Sequence, residues 1–210
     1  MSKNLKKRIY TSIFLFIFLF LSLINNYVLG YFIIITAVIA LLEFFKMTGI
    51  AFEKEKIKQV SYKLIFTLYL ITFCTGIFIF SSFLQLKILI FVILVTCIAS
   101  DIGGFVIGKL FKGPKLTKLS PNKTISGAIG SMVFSLIVLS ILIYLLTKNF
   151  ELSILVLGFT VSVSCQLGDL FFSFIKRKSK LKDTGNFLPG HGGVLDRIDG
   201  MLLGIPVGFL

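Results

Sequence analysis

The sequence predicts an all-α fold: a polytopic transmembrane helix bundle of about six full spans followed by a short C-terminal apolar helix. Three observations carry that expectation. Of the 210 residues, 56% are hydrophobic and 24 are phenylalanine, and the mean hydropathy is +0.99; soluble domains run at roughly 45–50% apolar. The apolar residues gather into runs close to the ~20 residues that a bilayer core requires. The charges fall in the gaps between those runs, and the gaps alternate between strongly basic and nearly uncharged.

In chain order the runs are Ile9–Ile24, Tyr27–Phe45, Leu64–Phe83, Leu86–Ile107, Ile125–Leu146 and Leu152–Ile175. No small-residue cleavage site follows Leu23, so the first run reads as a span rather than a signal peptide. Asn25-Asn26 reads as a tight hairpin into the second run. The tail from Gly200 to Leu210, at about 1.5 Å per residue, is too short to cross a core of roughly 30 Å. It reads as a half-span, a tilted insertion or the start of a helix cut short. Cys74, Cys97 and Cys165 lie in separate apolar runs without CxxC or Cys-His spacing, and read as small buried hydrophobes.

A net charge of +13 would suit nucleic acid if it formed one patch, but it is spread over the gaps. Nucleic acid is therefore excluded as a partner and the lipid bilayer expected. Basic residues cluster before the first run, between Lys46 and Lys63, between Lys109 and Lys123, and between Lys176 and Arg197. Only Lys87 and Lys148 of the 22 Lys and Arg residues fall elsewhere. The positive-inside rule puts the N-terminus, both long loops and the C-terminal polar segment in the cytoplasm. Glu43, near the cytoplasmic end of the second run, reads as a snorkelling side chain.

Two polar regions carry the chemistry. In the first, Asp101 ends an apolar run and is followed by Gly103 and Gly104; an ionisable group at that depth faces a cavity or a partner, or snorkels to the interface. Downstream, Ser120-Pro121 reads as an N-cap and first-turn proline opening the fifth span. Lys123 and Thr124 would then stand at a positive helix terminus, which suits phosphate or, equally, anionic lipid headgroups.

The second region, Ser173 to Asp199, holds Asp183, Asp196, Asp199 and the single histidine, His191. Asp196 and Asp199 are three apart, so a helix opening at Asp196 would project both from one face. Such hard oxygen ligands suit Mg²⁺, which takes one or two protein carboxylates with substrate phosphates and water. Asp169, at the end of the sixth run, could complete the cluster. Gly190, Gly192 and Gly193 around His191 permit tight turns beside a ligand. His191 has no second histidine with which to hold zinc, and its alternative role is a loop hydrogen-bonder.

The order Ser-x-x-Lys-Arg from Ser173, Lys182-Asp183-x-Gly, Pro-Gly-His-Gly-Gly from Pro189 and Asp196-Arg197-Ile-Asp199 resembles the signature of the phosphatidate cytidylyltransferase (CDP-diacylglycerol synthase) family. Asp101-x-Gly-Gly-Phe, Ser120-Pro121-x-Lys123-Thr and Gly168-Asp169 resemble it too. The resemblance covers roughly Asp101 to the C-terminus.

It implies an Mg²⁺-dependent (or Mn²⁺-dependent) nucleotidyltransferase that joins CTP and phosphatidate into CDP-diacylglycerol and pyrophosphate, at the cytoplasmic face of a bacterial inner or cell membrane. Asp169, Asp196 and Asp199 would bind the divalent metal, with K⁺ nearby. Lys176, Arg177, Asp183 and His191 would join them in the catalytic set. Asp101, Ser120, Pro121, Lys123, Lys182, Gly192, Gly193 and Arg197 would contact the nucleotide and phosphates. Residues 1–95 would form N-terminal transmembrane helices and 96–210 the catalytic transmembrane region with two cytoplasmic motif loops; a homodimer is among the expected assemblies. The alternatives are a membrane nucleotidyltransferase acting on another lipid phosphate and, from a different class, a cation transporter.

Overall fold

The computed structural model describes residues 3–117, 120, 123–190 and 192–209, with side chains from residue 9 onward. Pro121 and His191 lie outside the described residues. The elements among the described residues are helices: α1 (Lys3–Ile24), α2 (Asn26–Ala51), α3 (Lys56–Ser81), α4 (Leu84–Phe111), α5 (Ile125–Thr147), α6 (Leu152–Lys178) and α7 (Leu195–Val207), with isolated bridges in the loops. Helices α2 to α6 are long and apolar enough to cross a membrane, and α1 carries the shorter apolar stretch Ile9–Ile24. Large apolar side chains such as Phe16, Tyr31, Leu64, Leu152 and Val156 are more than half exposed, which fits a lipid-facing surface and would be a liability in water. The protein is an all-α, polytopic membrane helix bundle.

Several helices outrun the apolar runs that predict them. Helix α2 continues to Ala51, α3 begins eight residues before Leu64, and α4 continues to Phe111. Hydropathy marks where hydrocarbon ends, whereas backbone hydrogen bonding continues through Lys, Gln and Met, all good helix formers. Lys63 and Lys109 lay their ammonium groups over Phe45 and Phe105, at 5.3 and 5.7 Å from the ring centroids. Between α1 and α2 the turn is as tight as the asparagine pair predicts: Asn25 caps α2 by accepting from the Tyr27 N–H at 2.8 Å.

The chain forms two compact units. One comprises Met1–Lys87 with Ile175–Ile198, the other Ile88–Phe174 with Asp199–Leu210. In the first, the Phe44 ring of α2 stacks on Phe66 of α3 with centroids 3.9 Å apart, and Phe18 of α1 meets Phe32 of α2 at 5.4 Å. In the second, α4 and α5 approach closely through small residues. A Cβ placed on Gly103 would fall 2.6 Å from the Gly130 carbonyl oxygen, and Ser131 fills the space beside Gly104. Without a hydrophobic driving force in lipid, such close backbone contact supplies the dispersion energy that holds helices together. Ser100 and Ser162, both fully buried, hydrogen-bond at 3.0 Å.

The start of α5 differs from expectation. Its N-cap is Thr124, whose hydroxyl accepts from the Gly127 N–H at 3.1 Å; Ser120 does not cap it. Ahead of it, two described segments pair antiparallel, with Leu116 N–H on the Lys123 carbonyl (2.8 Å) and Ile125 N–H on the Pro114 carbonyl (3.0 Å). This antiparallel pairing holds the chain extended up to Thr124, so the helix begins only there. Ser120 lies in a turn whose carbonyl accepts from the Lys123 N–H at 3.0 Å.

Candidate active site

In the second unit, Lys123 is held by its backbone pairing with Leu116, and its ammonium meets Asp169 Oδ2 of α6 at 2.6 Å. Both side chains keep about a quarter of their surface exposed, 29% and 23%. They open onto a cavity of about 250 Å³ with Asp101, Thr124, Ser131 and Gln166 also in its wall. Gln166 carried no sequence signal; its amide donates to the Ala128 carbonyl at 3.3 Å and to Ser162 at 3.4 Å. Close by, α7 comes up against α6 because Gly168 has no side chain: a Cβ there would sit 2.5 Å from the Asp199 carbonyl oxygen. A Cβ on Gly200 would in turn lie 3.4 Å from Asp169 Oδ1. Asp101, Lys123 and Asp169 thus line one cavity, with the buried Asp199 on the helical turn that abuts Asp169.

The first unit holds the other half of the predicted residues. Helix α6 ends in Lys176, Arg177 and Lys178, cations that suit the negative helix terminus. Lys180 at φ 55° and the Leu181 N–H on the Lys176 carbonyl (2.9 Å) close the helix in a Schellman turn. Lys176 then pairs with Asp196 Oδ1 at 2.8 Å, with side chains only 14% and 10% exposed. The other oxygen, Oδ2, receives the Thr184 N–H (2.8 Å), the Thr184 hydroxyl (3.0 Å) and the Gly193 N–H (3.2 Å). Burial alone would raise the Asp196 pKa; the bond from Lys176 and those from Thr184 outweigh it and hold the carboxyl below the ordinary carboxylate range. Asp196 lies in the first turn of α7, as the three-residue spacing to Asp199 predicts.

Around this carboxylate the loop closes tightly. Leu188 and Gly192 form a bridge, and Gly192 sits at φ 87°, a left-handed conformation that favours glycine. Gly193 is required for a different reason: the space its Cβ would take is filled by the Thr184 hydroxyl and the Glu43 carboxylate. Asp183 stands beside Gly192, whereas Arg177, Lys182 and Arg197 are exposed.

Glu43 corrects the sequence reading. It does not snorkel: it is 4% exposed. It accepts from the Thr184 hydroxyl (2.8 Å), the Val194 N–H (3.1 Å) and the Leu195 N–H (2.9 Å). Its carboxyl sits at the N-terminus of α7, where backbone N–H groups have no partner within the helix. The only signal for it was an acidic residue within an apolar run.

Among the described residues no group of three or more His, Cys, Asp or Glu side chains stands in metal-binding proximity. Mg²⁺ does not demand one, since it takes one or two carboxylates and completes its shell from phosphate and water. The donors at the cavity meet that need: Asp169 and Asp101 present hard carboxylate oxygens to it, with Asp199 on the neighbouring helical turn. Both oxygens of Asp196 are engaged: Oδ2 accepts from Thr184 and Gly193, and Oδ1 pairs with Lys176.

The chain is 42% identical over 112 residues to a phosphatidate cytidylyltransferase of Helicobacter pylori (strain J99), covering 53% of this chain and 42% of that protein. It is 44% identical over 111 residues to one of Staphylococcus aureus (strain COL), covering 51% and 42%. It is 39% identical over 114 residues to one of Mycobacterium leprae, covering 54% and 36%. The match spans less than half the length of these relatives. The model of the cytidylyltransferase family, by contrast, matches residues 4–210, taking in both lysine–carboxylate pairs and every helix that carries them. This chain belongs to the cytidylyltransferase family.

Proposed function

We propose that the chain acts as a phosphatidate cytidylyltransferase, transferring CMP from CTP to a membrane-held phosphatidate with release of pyrophosphate. The observation that carries the reading is the cavity in which Lys123 and Asp169 form a partly exposed ion pair, with Asp101 beside them. A cation that is paired with a carboxylate but still reachable can exchange that partner for a phosphate. The names of the relatives and the apolar helices support a lipid substrate.

The reaction needs no protein nucleophile, because a phosphate monoester is ionised near neutral pH. The obstacle is repulsion between two anions. Lys123 would bind a phosphate of CTP and hold it for in-line attack, and Lys176, Arg177 and Lys182 would add positive charge as pyrophosphate leaves. Asp169 and Asp199 would hold a divalent cation such as Mg²⁺ or Mn²⁺, with K⁺ as a second ion; Asp196 is the third metal ligand that the family resemblance implies. When bound, that divalent cation would supply charge neutralisation at the reacting phosphates. Asp101, Ser120, Pro121, Gly192, Gly193 and Arg197 are the remaining proposed ligand contacts, with Asp183 and His191 in the catalytic set. The concentration of basic residues in alternate gaps supports a site on the cytoplasmic face, where cytosolic CTP and a bilayer-held lipid can meet.

The test is incubation of purified protein with labelled CTP, Mg²⁺ and a panel of lipid phosphates. Label in a CDP-lipid only with phosphatidate supports the reading. Preference for another lipid phosphate makes this a related nucleotidyltransferase, and no CTP-dependent product with any of them overturns it. Orientation is tested separately with single cysteines: one at Lys180 should be shielded from an impermeant thiol reagent in intact cells, and one at Asn149 labelled. Labelling at Lys180 from outside would overturn the topology.

A further inference from the structure

We infer that Glu43 and Thr184 form a positioning relay for the C-terminal motif loop: buried Glu43 on α2 fixes the N-terminus of α7 and, through Thr184, the orientation of Asp196. Glu43 Oε2 and Asp196 Oδ2 share the Thr184 hydroxyl, at 2.8 and 3.0 Å. Glu43 also takes the Val194 and Leu195 N–H groups at 3.1 and 2.9 Å. The socket is built for a carboxylate, since a side chain on either Gly185 or Gly193 would collide with Glu43. A buried charge is retained only when fully hydrogen-bonded, and Glu43 finds its donors in the loop, some 140 to 150 residues away in sequence.

The hydroxyl has one proton to share between Glu43 Oε2 and Asp196 Oδ2, while the Thr184 N–H donates to Asp196 Oδ2 on its own at 2.8 Å, so Thr184 is the residue that both carboxylates engage. Oδ2 of Asp196 is thereby pinned while Oδ1 stays turned toward Lys176. Groups that orient a ligating carboxylate commonly contribute 10- to 100-fold in affinity or rate without touching substrate. Glu43 and Thr184 are accordingly positioning residues. Their catalytic consequence rests on the cytidylyltransferase reading above; their structural consequence does not.

Glu43→Gln tests this with minimal change in volume. The glutamine oxygen can still accept from one donor, but its amide presents hydrogens to the N–H groups of α7. In metal-free protein, hydrogen exchange of peptides spanning 181–196 should accelerate about tenfold while the centres of α2 and α3 remain as in wild type. With CTP and phosphatidate, kcat should fall about 10- to 100-fold and the KM for CTP change less than about threefold. Thr184→Val should reproduce the fall in kcat and Thr184→Ser should restore it, because serine keeps the hydroxyl; this pair decides the question if Glu43→Gln does not fold. Glu53→Gln, at an exposed position, is the control. Unchanged exchange in 181–196, acceleration spread evenly over all helices, or wild-type kcat in Thr184→Val would each overturn the relay. If wild-type protein proves inactive on CTP, the functional reading fails, and the exchange measurement alone still decides the relay.

Discussion

The two lysine–carboxylate pairs use the same chemistry in different settings. Lys176–Asp196 is nearly sealed, and its carboxylate carries three further hydrogen bonds from Thr184 and Gly193. Lys123–Asp169 is partly exposed and borders a cavity. Burial sets what such a pair can do. A sealed pair with saturated acceptors fixes backbone, because separating it strands a buried charge. An open pair is worth little to stability but can trade its internal partner for a ligand. One pair organises a loop and the other stays reachable from a cavity.

The largest effect that can break this contrast is on the sealed pair. Asp196→Ala would leave Lys176 without its partner and Thr184 and Gly193 without their acceptor. It should destabilise the protein by about 3 kcal/mol, read as a lower unfolding midpoint in detergent. Asp169→Ala should cost no more than about 1 kcal/mol. Equal losses for the two variants would erase the distinction.

A smaller effect sharpens it from the open side. Lys123→Ala removes a charge-assisted contact to phosphate, so the KM for CTP should rise about tenfold or more, with the unfolding midpoint near that of wild type. Arg at the same position keeps the charge but not the compact ammonium, and should restore CTP use only in part. Unchanged CTP kinetics in Lys123→Ala would assign this loop to lipid headgroups.

The smallest effect is on pH. The Asp196 carboxyl is held below its ordinary value, so its folded form binds a proton less readily than the unfolded chain does. That contribution to stability is complete above the unfolded value of about 3.9 and is lost as pH falls through the depressed folded value. Between pH 7 and 5 this group should leave the unfolding midpoint unmoved. Below about pH 3.9 Asp196→Asn should lose less of its remaining stability than wild type does; an identical acid profile would contradict the assignment.

Helices and membrane spans were legible in the sequence because hydropathy and charge act locally, and the tight turn at Asn25-Asn26 was legible for the same reason. The start of the fifth helix was not legible: Ser120 has the composition of a cap, but the pairing of Leu116 with Lys123 and of Pro114 with Ile125, which local composition does not encode, delays the helix to Thr124. The polar residues of the motif loops could be named, yet not their partners. Lys123 finds Asp169 across 46 positions and Glu43 finds Leu195 across 152. Glu43 reads as snorkelling and Gln166 carries no signal, because each is a single polar residue in an apolar run and its meaning lies in what the fold brings to it.

The most direct test of the account is CTP-dependent product formation by Asp169→Asn, measured beside wild type with Mg²⁺ and phosphatidate on protein of matched unfolding midpoint. The exposed pair has little structural duty, so the variant should remain folded and inserted and lose nearly all turnover. Wild-type turnover in Asp169→Asn would contradict the claim that the Lys123–Asp169 cavity is where the reaction takes place.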